Sequence, residues 1–139
     1  MEGQFVEHLP RGGDLLEEIT KVFQQRSIFK ATFNLIGAVP RAVLSYWDQD
    51  TRQFRTQQFD CHMEIVSCMG NVSMKDGEVM VHCHIVFART DFMCVGGHLE
   101  PGTPIYVGEL FAIPLPGEVP VRVFDEPTGL HLWPQGKAF

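Results

Sequence analysis

No stretch of this sequence approaches the roughly 20 consecutive apolar residues that a bilayer-spanning helix needs. The opening residues, Met1-Glu2-Gly3-Gln4, lack the basic n-region and apolar h-region of a secretory leader, so a cytoplasmic protein without membrane contact is expected. The four cysteines, Cys61, Cys68, Cys83 and Cys94, form no C-x-x-C pair and lie mostly in apolar segments. Reduced, buried thiols are therefore expected in place of a disulfide framework. Phosphate-loop, G-x-S-x-G and H-E-x-x-H motifs are absent, which leaves no substrate-specific signature. Internal repeats, low-complexity tracts and linkers are absent too, so residues 1–139 read as one domain.

Basic residues are scarce. Eleven Lys and Arg face seventeen Asp and Glu, a formal charge of −6. Neutralised phosphates supply most non-specific affinity for duplex DNA, so DNA is disfavoured as a partner unless those few residues cluster. Lys30, Arg41, Arg52 and Arg55 are the available patch, against the plainer reading of solvated surface charges.

What remains is an ordinary globular composition, 45% hydrophobic and 20% charged. Gln4 to Leu9 reads as a short strand with Phe5 and Leu9 inward, and Pro10 to Gly13 breaks it. Asp14 is a good helix N-cap, with Glu17 three residues on as in a capping box. Leu15, Leu16, Ile19, Val22 and Phe23 then mark the apolar stripe of an amphipathic helix over 14–26.

Beyond Ser27 the pattern is β. Strands are expected from Phe29 to Ile36, ended by Gly37, and in a hairpin of 42–47 with 53–59. Met63 to Met74 follows, with a bulge or bend at Gly70-Asn71, then Val79 to Phe87, 92–98, Ile105 to Leu115 and Val119 to Phe124. An irregular tail is expected over 125–139, which carries Pro127, Gly129, Pro134 and Gly136. One helix on many antiparallel strands is an α+β domain.

The chemistry concentrates in one place. In Val81-His82-Cys83-His84-Ile85 the two histidines are two residues apart on a strand, hence on one face and about 6.5–7 Å apart. Val79, Val81, Cys83, Ile85 and Phe87 take the other face, which must be core. His98 arrives behind Gly96-Gly97, which permits a bulge or close backbone approach. Three imidazoles with a fourth position open make a catalytic zinc geometry. H-x-H alone is also common with both rings solvated, and His8, His62 and His131 read as surface or structural. Glu64, on a face shared with His62, and Glu109 are candidates for fourth ligand, for a hydrogen-bond partner that orients a ligating histidine, or for general base.

These residues lie in an order that resembles the PPC (plants and prokaryotes conserved) domain family across nearly the whole chain. The matching segments are Arg11-Gly12-Gly13-Asp14-Leu15-Leu16, Asn34-Leu35-Ile36-Gly37-Ala38-Val39 and Leu44-Ser45-Tyr46-Trp47-Asp48. Residues 63–72, His82-Cys83-His84, Gly96-Gly97-His98-Leu99, Gly108-Glu109-Leu110-Phe111 and 124–130 complete them. The resemblance implies an α+β fold with one main helix and a strongly bent antiparallel sheet, similar to acetolactate decarboxylase, and assembly as a homotrimer. It maps the family's three histidines onto His82, His84 and His98 as ligands of Zn2+ or another divalent metal. It also brings a predicted DNA-binding role, although the Gly-Arg-Pro core of an AT-hook is missing here. The alternative it implies is a small zinc-dependent lyase or hydrolase acting on a small oxo-acid or ester. Arg11, Glu64 and Glu109 are the catalytic candidates for that small-molecule chemistry.

Overall fold

Along strand after strand the side chains alternate between interior and surface, and the interior set is sealed on one side by a single helix. The computed structural model describes residues 3–139. Its elements are β1 (Phe5–His8), α1 (Leu15–Gln25), β2 (Ala31–Val39), β3 (Ala42–Asp48), β4 (Gln53–Phe59), β5 (Met63–Lys75), β6 (Glu78–Arg89), β7 (Cys94–Leu99), β8 (Val107–Pro114), β9 (Val123–Asp125) and β10 (Leu130–Leu132). The first eight strands form one antiparallel sheet in the order β1-β8-β2-β5-β6-β7-β3-β4. It is strongly bent but not closed. No helix of the described residues is long and apolar enough to cross a membrane.

The helix forms where its stripe and cap require. Leu15, Ile19, Val22 and Phe23 are buried, and the Phe23 ring packs 5.8 Å from Phe33 and 6.4 Å from Phe5. Asp14 caps it by accepting from the Glu17 N–H at 3.2 Å. Its other carboxylate oxygen accepts from the N–H groups of Gly102 (2.7 Å) and Thr103 (3.0 Å), so one side chain ties the 100–104 loop to the helix start. Beneath the helix lie Phe33, Leu35, Cys68, Val72, Cys83, Ile85, Phe87, Leu110 and Ala112.

Several boundaries differ from those read in the sequence. β2 does not end at Gly37 but runs through it to Val39, with a register shift between Leu35 and Gly37. The strands approach so closely there that a Cβ on Gly37 would lie 1.9 Å from the Val107 carbonyl oxygen. The bulge in β5 falls between Ile65 and Ser67, while Gly70 and Asn71 stay in the ladder opposite Cys83 and His82. Ile105 precedes β8 because its backbone exchanges bonds with Gly12 and Gly13 instead. Cys68 and Cys83 are buried as expected, but Cys61 and Cys94 are exposed, and all four are free.

The tail is the largest departure. Residues 123–132 form the β9–β10 hairpin rather than irregular chain. Asp125 closes its turn, accepting from the Thr128 hydroxyl at 2.6 Å and the Thr128 N–H at 3.1 Å, while the Gly129 N–H donates to the Asp125 carbonyl at 2.7 Å. The expected strand from Val119 shrinks, with Arg122 and Pro120 bonded to the Met74 backbone instead.

Candidate metal centre

β6 presents its two faces as the alternation requires. Val81, Cys83, Ile85 and Phe87 are buried in the core, leaving His82 half-buried and His84 exposed on the opposite face. β7 pairs with β6 so that His98 lies directly across from His84. The double glycine makes this approach possible without a bulge. A Cβ on Gly97 would stand 2.9 Å from the Ser45 carbonyl oxygen of β3, and one on Gly96 2.9 Å from the Ile85 carbonyl oxygen of β6. A short strand is thereby wedged between two others and carries His98 with it.

The three rings converge. One ligand nitrogen from each of His82, His84 and His98 lies within 4.8 Å of the others. Ring centroids are 5.0 Å apart for His82 and His98, 5.1 Å for His82 and His84 and 5.8 Å for His84 and His98. Burial pushes the His82 imidazole down to about 4 from its ordinary 6.5, helped by His98, Arg122 and His84. Burial also lowers His98, against the opposing pull of Glu100. Neutral imidazoles are the state a metal requires, so the donor set fits a divalent ion of the zinc class.

Two charged residues that sequence reasoning did not assign flank the cluster. Glu100 Oε1 accepts from the Ser45 hydroxyl at 2.6 Å and stands 3.8 Å from His98 Nε2. Its signal was present: in His98-Leu99-Glu100 the first and third residues share a strand face. Arg122 comes from the chain before β9, and its Nη2 lies 3.4 Å from His82 Nδ1 while donating to Asn71 Oδ1 at 2.8 Å. No local spacing pointed to it. His131, read as surface or structural, accepts from Arg122 Nη1 through its carbonyl at 3.2 Å and lines the same cavity. That cavity, about 880 Å³, has Trp47, Phe54, Leu130 and Leu132 among its apolar walls.

The remaining candidates are not gathered there. Glu64 and His62 line a different cavity of about 500 Å³, beside Tyr106 and Arg89. Arg11 lies close to that second cavity, its Nε donating to the Tyr106 carbonyl at 3.2 Å and its guanidinium 5.2 Å above the Tyr106 ring. Glu109 sits on β8 opposite His8 and Ile36, three strands from β6, which at sheet spacing is about 14 Å. Of the basic residues weighed for a nucleic acid, Arg41 is exposed, while the other three have partners within the chain. Lys30 donates to the carbonyls of Pro116 and Phe139, Arg52 to that of Glu126, and Arg55 lies 3.9 Å from Asp48.

Comparison with known proteins places these features in context. Residues 2–116 match the model of the Plants and Prokaryotes Conserved (PCC) domain. A metal-containing protein from Archaeoglobus fulgidus is 37% identical, with a TM-score of 0.91 over 96% of this chain and 94% of that one. A plant- and prokaryote-conserved (PPC) protein from Pyrococcus horikoshii is 29% identical, with a TM-score of 0.92 over 99% and 94%. A candidate DNA-binding protein from Bacteroides thetaiotaomicron shares the fold at 20% identity, with a TM-score of 0.88 over 99% and 95%. No match was found among curated proteins.

Proposed function

Since this chain belongs to the Plants and Prokaryotes Conserved domain family, we propose that His82, His84 and His98 hold one divalent metal ion, of the zinc class, on the floor of a small-molecule cavity. The observation that carries this reading is the convergence of three imidazole nitrogens, one from each histidine, within 4.8 Å. The similarity to the metal-containing Archaeoglobus protein supports it. A bound ion of this class supplies Lewis-acid polarisation of an oxygen or a water acidified to a pKa of about 7. Glu100, held by Ser45 beside His98, is the carboxylate positioned to move a proton there, a role the sequence reading gave to Glu64 or Glu109. That placement favours a zinc-dependent lyase or hydrolase as the second reading, with the metal reading as its base.

We also propose that the chain assembles as a homotrimer. On the sheet face opposite the helix, Val6 (75% exposed), Ile36 (54%), Val66 (52%) and Met69 (63%) are large apolar side chains open to solvent, which neighbouring copies of the chain would cover. The four free thiols accord with a reducing, cytoplasmic location. DNA is not the partner proposed, because the charge is −6 and Lys30 and Arg52 are tied to backbone carbonyls.

The test is the variant carrying His82→Ala, His84→Ala and His98→Ala, compared with wild type for mass by light scattering and for bound metal. An intact assembly of about 47 kDa, three times 15.7 kDa, that has lost its metal is the expected result. Loss of the assembly together with the metal would make the ion a structural tie, and undiminished metal would refute the site.

A further inference from the structure

Arg122 is a buried cation with no counter-ion. Its residue is 7% exposed, and among the described residues no carboxylate lies within ion-pair distance of it. Its hydrogen bonds go to neutral acceptors: the Ser73 hydroxyl (3.1 Å), the His131 carbonyl (3.2 Å) and the Asn71 side-chain carbonyl (2.8 Å). Its guanidinium also lies 5.1 Å from the Trp133 ring centroid. These contacts hold the group rigidly without cancelling its charge, and a desolvated charge left unpaired is costly.

The cavity around it repeats the imbalance. Lys75 lines the same space, likewise without an ion pair among the described residues. The one carboxylate there, Glu100, is on the side of His98 and already accepts from Ser45. A protein with a net charge of −6 thus turns a cationic surface into its larger cavity. A divalent ion on the histidines would deepen that excess, because neutral imidazoles offset none of its charge.

The remaining walls indicate what shape of anion fits. Trp47 and Phe54 pack edge to face at 4.8 Å, and Phe54 lies 5.8 Å from the His98 ring, so an apolar surface rises beside the histidines. A guanidinium has five N–H donors, and three of them are spent on Ser73, His131 and Asn71. Nη2 also lies 3.4 Å from His82 Nδ1, so at most two are left, which suits the two oxygens of a carboxylate better than the three of a phosphate.

We infer that this cavity binds a small organic carboxylate, its charged head between the histidine site and Arg122 and its apolar body against Trp47 and Phe54. The inference rests on the metal reading above for one side of the head and on Arg122 and Lys75 for the other, so the two can fail separately.

Sodium benzoate and its neutral counterpart benzamide are the probes, titrated calorimetrically into zinc-loaded and zinc-free protein with metal content measured in parallel. In the zinc-loaded protein benzoate should bind at least tenfold more tightly than benzamide. Arg122→Gln should cut that ratio at least fivefold, and Lys75→Gln should cut it about twofold, the latter serving if loss of Arg122 prevents folding. Phe54→Ala should weaken both probes equally and leave the ratio unchanged. A ratio near one in the metal-loaded wild type would overturn the inference while leaving the metal site standing. A ratio that neither Arg122→Gln nor Lys75→Gln alters would also overturn it, as would inorganic phosphate binding as tightly as benzoate. Protein that takes up no metal yet keeps a ratio sensitive to Arg122→Gln would uphold the carboxylate site and refute the metal reading alone.

Discussion

At His82, burial, two neighbouring imidazoles and the Arg122 guanidinium all oppose a proton, and the consequence is a pH dependence of defined sign. The ring is held at about 4 when folded against an ordinary 6.5, so between those values the unfolded chain binds more protons. Stability of the metal-free protein should therefore fall as pH drops from about 6.5 towards 4 and be insensitive to this group above 6.5. Thermal melts at pH 7.5 and pH 5 with a chelator present should show the lower Tm at pH 5, with His82→Gln narrowing the gap. Added zinc should raise Tm at pH 7.5 far more than at pH 5, since protons compete for the same nitrogens. At this scale the sequence was legible where spacing carries geometry. His82 and His84 could be placed together because alternate residues of a strand share a face, and the same rule applied to His98 and Glu100 would have found the acid. Arg122 was not legible, since its contact with His82 spans 40 positions and depends on how the tail crosses β5.

Two elements are positioned by single residues. Asp14 both caps α1 and receives the Gly102 and Thr103 N–H groups, so Asp14→Ala removes three acceptor contacts at once. A destabilisation of about 1–2 kcal/mol is expected, at the upper end for an N-cap, measurable by urea unfolding with an unchanged m-value. β7 depends on its glycines in a different way. In Gly97→Val the new Cβ meets the Ser45 backbone oxygen, which cannot rotate away as a side chain would. The expected result is displacement of β7 from β3 and a loss of zinc affinity of at least tenfold, read by competition with a chromophoric chelator. The helix and the histidine strand were readable because each repeats its own period, 3.6 and 2.0, over enough residues to stand out. The β9–β10 hairpin has only three residues per strand, and its turn is closed by the Asp125 and Thr128 side chains among prolines and glycines that signalled irregular chain.

As a whole molecule the protein is an acidic domain with exposed apolar side chains on its outer sheet face and one cavity where cations gather around three histidines. The acidity gives a direct expectation for nucleic acid: no mobility shift with duplex DNA at about 50 mM salt, where phosphate-driven binding is strong. A shift whose log affinity falls steeply against log salt would show instead that assembly gathers the basic residues into a patch. Fold class was the most legible property at this scale, because an apolar period change after one helix constrains the architecture more than any motif does. The catalytic candidates were the least legible. Glu64, Glu109 and Arg11 were plausible by residue type, but strand order puts β8 three strands from β6 and sends Glu64 to the other cavity. The central claim is most directly tested by elemental analysis after zinc loading and exhaustive dialysis. One zinc per chain in the wild type and less than a tenth of that in His98→Ala is the expected result; a wild type without zinc, or a His98→Ala protein that keeps its full equivalent, would contradict it.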